Sequence, residues 1–239
     1  MWNQKMQLTH KPKALLFDLD GTLAHTLPQL SIAASKVAQK LGVDTPSAEL
    51  MATYVGNGVA MLLGRIILGR HDITIDEVPE DKLKEAKALF EVYYTEGLHE
   101  NFEVYAGVKE GIAYFHSIGI KLGVVTNKPH VFAEPLIKYM GLDKYMGAVL
   151  GGEVLSERKP NPAPLYYVLE KLGVDAKDAA MVGDSINDVR AGENASMPTI
   201  AFTYGYDGGY DLKTDCSPDY LFDSFVQLTE LIKSLPDAS

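Results

Sequence analysis

The order of apolar and polar residues along the chain predicts buried strands that alternate with amphipathic helices. Short continuous apolar runs are typical of strands in a parallel sheet that is covered on both faces. Such runs predict strands over residues 14–17, 122–125, 147–150, 179–182 and 199–202. Between most of them lie helix-period patterns over residues 107–117, 129–140, 163–172 and 186–195. This alternation predicts an α/β fold with a Rossmann-like open parallel sheet at its core.

One long stretch after the first strand lacks this alternation. Between Leu23 and about Tyr105 no strand is predicted, and helical patterns cover residues 28–41, 48–54, 59–68 and 80–98. The last helix carries an apolar stripe that packs in a core, made of Leu83, Ala86, Phe90 and Tyr93. We therefore expect an inserted all-α cap domain over 24–103 and an α/β core domain over 1–23 and 104–239. Because ligands bind at the carboxyl edge of open α/β sheets, the insertion should act as a lid.

Composition and charge narrow the class of protein. Of the 239 residues, 46% are hydrophobic and 23% are charged, which excludes disorder, collagen and coiled coil. The 22 basic and 32 acidic residues give a net charge of −10, so nucleic-acid binding is not expected. The single cysteine, Cys216, cannot form an internal disulfide or a multi-cysteine zinc site. Without an apolar run near ~20 residues or an apolar start, we expect a cytoplasmic chain with no membrane span.

The end of the first predicted strand carries two acids. The run DLDGTL at residues 18–23 places Asp18 and Asp20 on one side of a continuing strand, where like charges crowd and raise a pKa. Such a pair can hold a divalent cation, or supply a nucleophile and a proton donor. Gly21 allows the sharp turn that follows. Taken alone, the run is equally well explained as a strand end with acidic turn residues.

Three further motifs carry candidate chemistry. Thr126 and Asn127 follow a strand and precede a helix, a position that favours phosphate or serves as a simple N-cap. Lys159 lies in the run RKPNP at residues 158–162, where prolines stiffen a loop. Asp184 follows another strand, and Asp188 lies four residues on, on the same side of a helix. This last pair can serve a metal or simply complement the helix dipole.

Each motif alone has an ordinary structural explanation, but the topology joins them. Asp18, Thr126 and Asp184 each follow a separate strand, and the carboxyl ends of parallel strands share one edge of a sheet. We therefore expect carboxylates, a hydroxyl and the ammonium of Lys159 to converge beneath the cap.

The four motifs together resemble those of the haloacid dehalogenase-like hydrolase superfamily, in its phosphatase branch, over about residues 13–235. DLDGTL resembles the first motif, Thr126 the second, Lys159 the third, and Gly183-Asp184 with Asp188 the fourth. The helical insertion resembles the small α cap of that family. More narrowly, the chain is similar to bacterial phosphoglycolate phosphatases in the runs VGNG at 55–58, VVTNKP at 124–129, LGG at 150–152 and TYGY at 203–206.

The resemblance implies an Mg²⁺-dependent phosphomonoester hydrolase that acts on a small phosphorylated metabolite, with 2-phosphoglycolate as the expected substrate. It implies that Asp18 is the nucleophile and forms an aspartyl-phosphate, and that Asp20 is the proton donor and then the base. Thr126 and Lys159 are the other implied catalytic residues. The implied metal ligands are Asp18, Asp20 through its backbone carbonyl, and Asp184, with Asp188 in support.

The candidate substrate-binding residues are Asn127, Asn57, Arg65 and Gly21. Asn57 and Arg65 lie in the cap segment most like the specificity region of the family. There Arg65 would pair with a substrate carboxylate through its planar guanidinium, or else be solvated on a helix. The sequence departs from the family pattern at His25, where an acid is usual, and at Asn161, where histidine is frequent. The first departure bears on substrate fit or cap closure rather than on the core chemistry.

Other functions stay open beside this one. A phosphatase or phosphomutase for another small sugar phosphate, such as N-acetylmuramate 6-phosphate, is one, although the cap shows no mutase-type acid/base motif. A dehalogenase needs neither magnesium nor the second aspartate, so Asp20 and Asp184 oppose it. A non-catalytic phospho-signalling module would lack the inserted cap. The dipeptide His71-Asp72 would need further histidine and aspartate partners to form a metal hydrolase, and is more typical of a surface turn. We expect a monomer or a homodimer.

Overall fold

The core of the molecule is a six-stranded sheet in which every neighbouring pair of strands is parallel. The structure is a computed structural model that describes residues 5–206 and 208–237. In spatial order the strands are β5 (Met146–Gly152), β4 (Lys121–Pro129), β1 (Ala14–Phe17), β6 (Ala179–Gly183), β7 (Thr199–Phe202) and β8 (Tyr220–Phe222). The expected open parallel sheet is confirmed, and the first strand of the chain lies near its centre.

Helices cover both faces of this sheet, as the continuous apolar strands require. They are α5 (Val108–Ser117), α6 (His130–Tyr139), α7 (Ala163–Leu172), α8 (Ile186–Asn194) and α9 (Phe225–Ser234). Alternate residues of β1 point to opposite faces. Leu15 and Phe17 pack in a core cluster with residues of α5 and α9, whereas Leu16 packs with residues of α7. The strand is therefore buried along its whole length.

A second group of helices lies between the first two strands of the sheet along the chain. It consists of α1 (Leu27–Leu41), α2 (Ala48–Tyr54), α3 (Val59–Leu68) and α4 (Glu80–Gly97). The buried stripe of α4 is formed by Ala86, Phe90 and Tyr94 rather than by the predicted set, because Tyr93 is only partly buried. The helices of this group pack mainly on one another, since α1 and α3 both contact α4.

Two short strands flank this helical group, in a stretch where the sequence predicts none. β2 (Ala24–His25) and β3 (Glu103–Val104) pair antiparallel, so the chain leaves and re-enters the α/β part side by side. Two residues are too few to show a strand period, and the pairing depends on a partner far along the chain. The pair lies at the predicted domain boundaries, while the division into a core domain and a cap domain stays a prediction.

The C-terminal part of the sheet also goes beyond the predicted elements. β8 has three partly buried residues, and α9 buries Phe225, Leu228 and Ile232 against the sheet. The ring of Phe225 stacks on Phe17 and Phe202, with centroids 6.0 and 5.6 Å away. This helix therefore completes the core on one face of the sheet. None of the helices in the described ranges is long and apolar enough to span a bilayer.

We expect Phe225→Ala to lower the free energy of unfolding by about 3–5 kcal/mol, because it leaves a cavity beside the rings of Phe17, Phe115 and Phe202. Urea unfolding at neutral pH measures this loss. The neighbouring Val226 is 49% exposed, so Val226→Ala should change stability by about 0.5 kcal/mol or less. Equal losses for the two variants would show that α9 is not part of the core.

Candidate active site

Polar residues from three adjacent strands meet at the carboxyl edge of the sheet. Asp18 follows β1 directly, Asp184 follows β6, and Thr126 lies in β4 where its register with β5 becomes irregular after Val125. Because β1 lies between β4 and β6, these residues are neighbours, as the topology predicts. Asp18 and Thr126 line a cavity of about 540 Å³, open mouth included, between this edge and the helices α3 and α4.

Asp18, Asp184 and Asp188 form a compact group of carboxylates. Each offers an oxygen, and these oxygens all lie within 4.8 Å of one another. Burial raises the pKa of Asp18 to about 6, and it raises the pKa of Asp184 well above the usual range, with the charges of Asp18 and Asp188 adding to the effect. Three carboxylates in this arrangement, two of them buried and one partly buried, repel one another unless a cation lies between them.

Lys159 supplies one positive charge to this group. Its Nζ lies 2.9 Å from Asp18 Oδ1 and 2.6 Å from Asp188 Oδ1. Burial by itself lowers the pKa of Lys159, but the charges of the two carboxylates outweigh it and raise the pKa. The ammonium therefore stays charged and fixes the orientation of both acids.

The carboxylate of Asp188 is fully engaged by the protein. Its Oδ2 accepts hydrogen bonds from the backbone N–H groups of Asp184 and Ser185 and from the Ser185 hydroxyl. Its Oδ1 accepts from Lys159. These bonds hold the turn between β6 and α8, so Asp188 supports the site through its neighbours.

Asp184 is held from both sides by the loop that follows the first strand and by the loop after β7. Thr22 Oγ1 donates to its Oδ1, and the backbone N–H of Tyr206 donates to its Oδ2 at 2.6 Å. Gly21 has φ +86°, and a Cβ there would lie 2.1 Å from Asp184 Oδ2. Because Gly21 has no side chain, the carboxylate of Asp184 can pack directly against its backbone.

Asp20 lies apart from the three clustered acids, although it is two residues from Asp18. Its Oδ1 accepts a hydrogen bond from Thr26 Oγ1 at 2.6 Å. Both of its carboxylate oxygens contact Lys128 Nζ, at 3.0 and 3.2 Å. The Asp20 side chain is thus paired with a different cation, and it lines the same cavity as Asp18.

Lys128 is a site residue that is not among the predicted ones. Its side chain is buried, and the Tyr94 hydroxyl is in hydrogen-bond contact with its Nζ. Burial lowers the pKa of Lys128, but the charge of Asp20 outweighs this and the pKa is raised. The signal in the sequence is a lysine two residues after Thr126, at a strand end that already carries a motif.

Asn127 and Asn57 do not present free side-chain groups to the cavity. The amide of Asn127 donates to the carbonyls of Gly56 and Lys159, and its Oδ1 accepts from the N–H of Lys159. Asn57 contributes its backbone carbonyl, which accepts from Arg158. The amide of Asn127 thus joins the loop at residue 56 to the Lys159 loop. Asn127 lines the cavity and Asn57 does not, and the substrate contacts expected of both residues stay predictions.

Arg65 is also placed away from the cavity. Its guanidinium is buried and donates to the carbonyls of Tyr54 at 2.8 Å and of His71 at 3.0 Å. Arg65 does not line the cavity, and these carbonyls engage two of its donors, so its expected pairing with a substrate carboxylate stays a prediction without support in the geometry. Arg65 instead joins the end of α2 to the segment after α3.

Comparison with known proteins agrees with this geometry. The family model described as haloacid dehalogenase-like hydrolase matches residues 15–202. The chain belongs to the haloacid dehalogenase-like hydrolase family. This bears out the resemblance on which the expected fold and chemistry depend.

Several proteins similar to this hydrolase are named phosphoglycolate phosphatases. A phosphoglycolate phosphatase from Photobacterium profundum is 39% identical over 224 residues, covering 92% of this chain and 96% of the relative. One from Vibrio parahaemolyticus is 38% identical over 220 residues, with the same coverage. The crystal structure of a predicted phosphoglycolate phosphatase from Haemophilus somnus has a TM-score of 0.83 and 34% identity, covering 92% of this chain and 97% of that one. The chain is a phosphoric monoester hydrolase of this type.

The acidic group fits a hard divalent cation. Such cations prefer oxygen ligands, and Asp18, Asp184 and Asp188 each offer one oxygen within 4.8 Å of the other two. Asp20 contributes no side-chain oxygen to this group, so its expected part in metal binding remains with its backbone carbonyl.

The raised pKa of Asp18 predicts a pH-dependent stability for the metal-free protein. Because folding raises this pKa from 3.8 to about 6, the stability that the carboxyl contributes is full below pH 3.8 and is lost as the pH rises through about 6. Asp18→Asn cannot ionise. In the presence of a chelator, we expect this variant to exceed wild type in unfolding free energy by about 1–3 kcal/mol at pH 7, and by little at pH 4.

Urea unfolding at the two pH values measures this difference. Asp143→Asn is the control, because Asp143 is exposed and lies outside the acidic group. A gain for Asp18→Asn that is the same at both pH values would contradict the expected effect of burial.

Proposed function

We propose that the chain hydrolyses 2-phosphoglycolate to glycolate and phosphate, with Mg²⁺ held by Asp18, Asp184 and the backbone carbonyl of Asp20. The observation that carries this proposal is the separation of two neighbouring carboxylates into different environments. Asp18 is paired with Lys159 and lies beside Asp184, whereas Asp20 is paired with Lys128 and Thr26. Two acids with unlike surroundings are suited to different steps of one reaction. The names of the relatives supply the substrate.

In the first step an oxygen of Asp18 attacks phosphorus, and the bond from phosphorus to the ester oxygen breaks. Lys159 orients Asp18 through the hydrogen bond to Oδ1. Asp20 gives its proton to the departing alkoxide. The products of this step are glycolate and an aspartyl-phosphate on Asp18.

In the second step Asp20 takes a proton from water, and the water oxygen attacks phosphorus. The bond to Asp18 breaks, which restores its carboxylate and releases phosphate. The Thr126 hydroxyl and the backbone N–H groups around it hold the phosphoryl oxygens. Mg²⁺ supplies positive charge that offsets the charge of the phosphoryl group and of the carboxylates.

Location in the cytoplasm and a monomeric or homodimeric state stay predictions from the sequence. The same holds for the division into a cap domain over 24–103 and a core domain. The competing substrates, among them N-acetylmuramate 6-phosphate, belong in the panel that tests the proposal. Release of phosphate without an added bisphosphate separates a phosphatase from a mutase.

We expect release of phosphate from 2-phosphoglycolate to depend on Mg²⁺ and to be lost in Asp18→Asn.

With p-nitrophenyl phosphate the leaving group needs no proton. Asp20→Asn should therefore give a burst of one nitrophenolate per enzyme molecule, followed by turnover about 10²–10⁴-fold slower than wild type. Stopped-flow absorbance measures the burst. A variant that shows no burst but slow steady turnover would contradict the two roles of Asp20. A burst without turnover in wild type would instead favour a phospho-signalling module.

We also expect Mg²⁺ to stabilise the folded protein, because it binds the native acidic group and not the unfolded chain. The gain in unfolding free energy is about 2.7 kcal/mol when free Mg²⁺ is 100-fold above its Kd. Thermal unfolding with and without chelator measures it, independently of activity. Asp184→Asn should remove the response, while the exposed control Asp143→Asn keeps it. An unchanged response in Asp184→Asn would place the metal elsewhere.

A further inference from the structure

We propose that the ammonium group of Lys128 binds the carboxylate of the substrate and thereby selects phosphorylated hydroxy acids over neutral phosphate esters. This inference rests on the proposed function, and it offers a different partner for the substrate carboxylate than Arg65, which does not line the cavity. It assigns to a core residue a selectivity that was expected from the cap.

The first support is the charge inventory of the cavity. Among its lining side chains, within residues 5–206 and 208–237, two carry a positive charge: Lys128 and Lys159. Lys159 lies between Asp18 and Asp188, at the end of the cavity where the phosphoryl group reacts. Lys128 is therefore the cation left for a second anionic group of the substrate.

The second support is the position of Lys128 relative to the reacting atoms. Its Nζ lies 3.0 and 3.2 Å from the oxygens of Asp20, the residue proposed to protonate the ester oxygen. In 2-phosphoglycolate one methylene separates that oxygen from the carboxylate, so the two groups lie roughly 3 Å apart by ordinary bond lengths. When the ester oxygen of the substrate accepts a hydrogen bond from Asp20, its carboxylate therefore lies within reach of the Lys128 ammonium.

The third support is the donor capacity of this ammonium. A lysine ammonium has three N–H donors, and in the described parts of the chain Lys128 Nζ contacts two side chains, through both oxygens of Asp20 and the hydroxyl of Tyr94. The Tyr94 hydroxyl donates in turn to Gln29 Oε1 at 3.0 Å. Lys128 is thus held in place from the cap side, and a substrate carboxylate can take the place of the longer contact, which is the one at 3.2 Å to Asp20 Oδ2.

The fourth support is the apolar wall around this position. Leu30, Leu62, Phe90 and Phe132 line the part of the cavity that the helices contribute. Charge pairing is stronger beside such a wall than in water. The hydroxyl groups of a sugar would be left there without hydrogen-bond partners, which is costly. The wall therefore favours a short substrate with a single terminal carboxylate.

The test compares 2-phosphoglycolate with 2-phosphoglycolamide, its neutral isostere, in wild type and in Lys128→Met. We expect wild type to prefer the carboxylate in kcat/KM by about 10- to 100-fold, the range for a charge-assisted hydrogen bond. In Lys128→Met the ratio of kcat/KM for 2-phosphoglycolate to kcat/KM for 2-phosphoglycolamide should fall close to one. Both esters depend on Asp20 in the same way, so any effect of the variant on Asp20 cancels in the ratio.

Arg65→Met is the matched control, because it removes another buried cation that lies outside the cavity. It should lower stability and leave the ratio of the two substrates unchanged. A ratio that survives in Lys128→Met, or that is lost in Arg65→Met alone, overturns the proposal.

Wild type alone gives a second test that does not depend on how Lys128→Met folds. Phosphoethanolamine has the same length and carries an ammonium in place of the carboxylate, so kcat/KM should fall from the anionic to the neutral to the cationic ester. Equal kcat/KM values for the three esters would overturn the role of Lys128 but leave the phosphatase function in place. No release of phosphate from any ester with Mg²⁺ present is instead a failure of the proposed function.

Discussion

The arrangement of this molecule depends on the compensation of negative charge at one edge of a parallel sheet. The topology brings Asp18, Asp184 and Asp188 together, and Asp20 lies close by with its own partner. The two buried lysines, Lys159 and Lys128, offset half of these four charges. The remainder equals the charge of one divalent cation. The remaining charge therefore fits the divalent cation that we propose for this site. That cation would also offset the negative charge of the chain where an anionic substrate binds.

The sequence is most informative where function follows from strand order. Apolar runs locate the strands that form the centre of the sheet, and parallel pairing then brings Asp18 and Asp184 to one edge without knowledge of any contact. It is least informative for side chains whose partners lie far along the chain. Lys128 is paired with Asp20, 108 residues away along the chain, and Asn127 is hydrogen-bonded to Gly56, 71 residues away. The residues next to Lys128 and Asn127 in the sequence do not indicate these contacts. Arg65 illustrates the same limit, since its burial depends on how loops fold back on α3.

Two amide side chains at the sheet edge hold the loop between α2 and α3. The carbonyl of Gly56 accepts hydrogen bonds from Asn127 at the end of β4 and from Asn187 at the start of α8. Asn127 also holds the backbone of Lys159. Asn127 therefore fixes both the loop between α2 and α3 and the loop that carries Lys159. Gln29 and Tyr94 provide a second link, from the helices α1 and α4 to Lys128.

The central place of the first strand has a consequence for the order in which the chain folds. The register partners of Ala14 are Lys121 on one side and Ala179 on the other. During synthesis β1 can pair on both sides only after most of the polypeptide has left the ribosome, whereas the helices after it can form from local contacts. Pairings of such long sequence separation are slow, and they leave apolar strands exposed meanwhile. Nascent chains of this protein should therefore depend on chaperones until β6 has emerged.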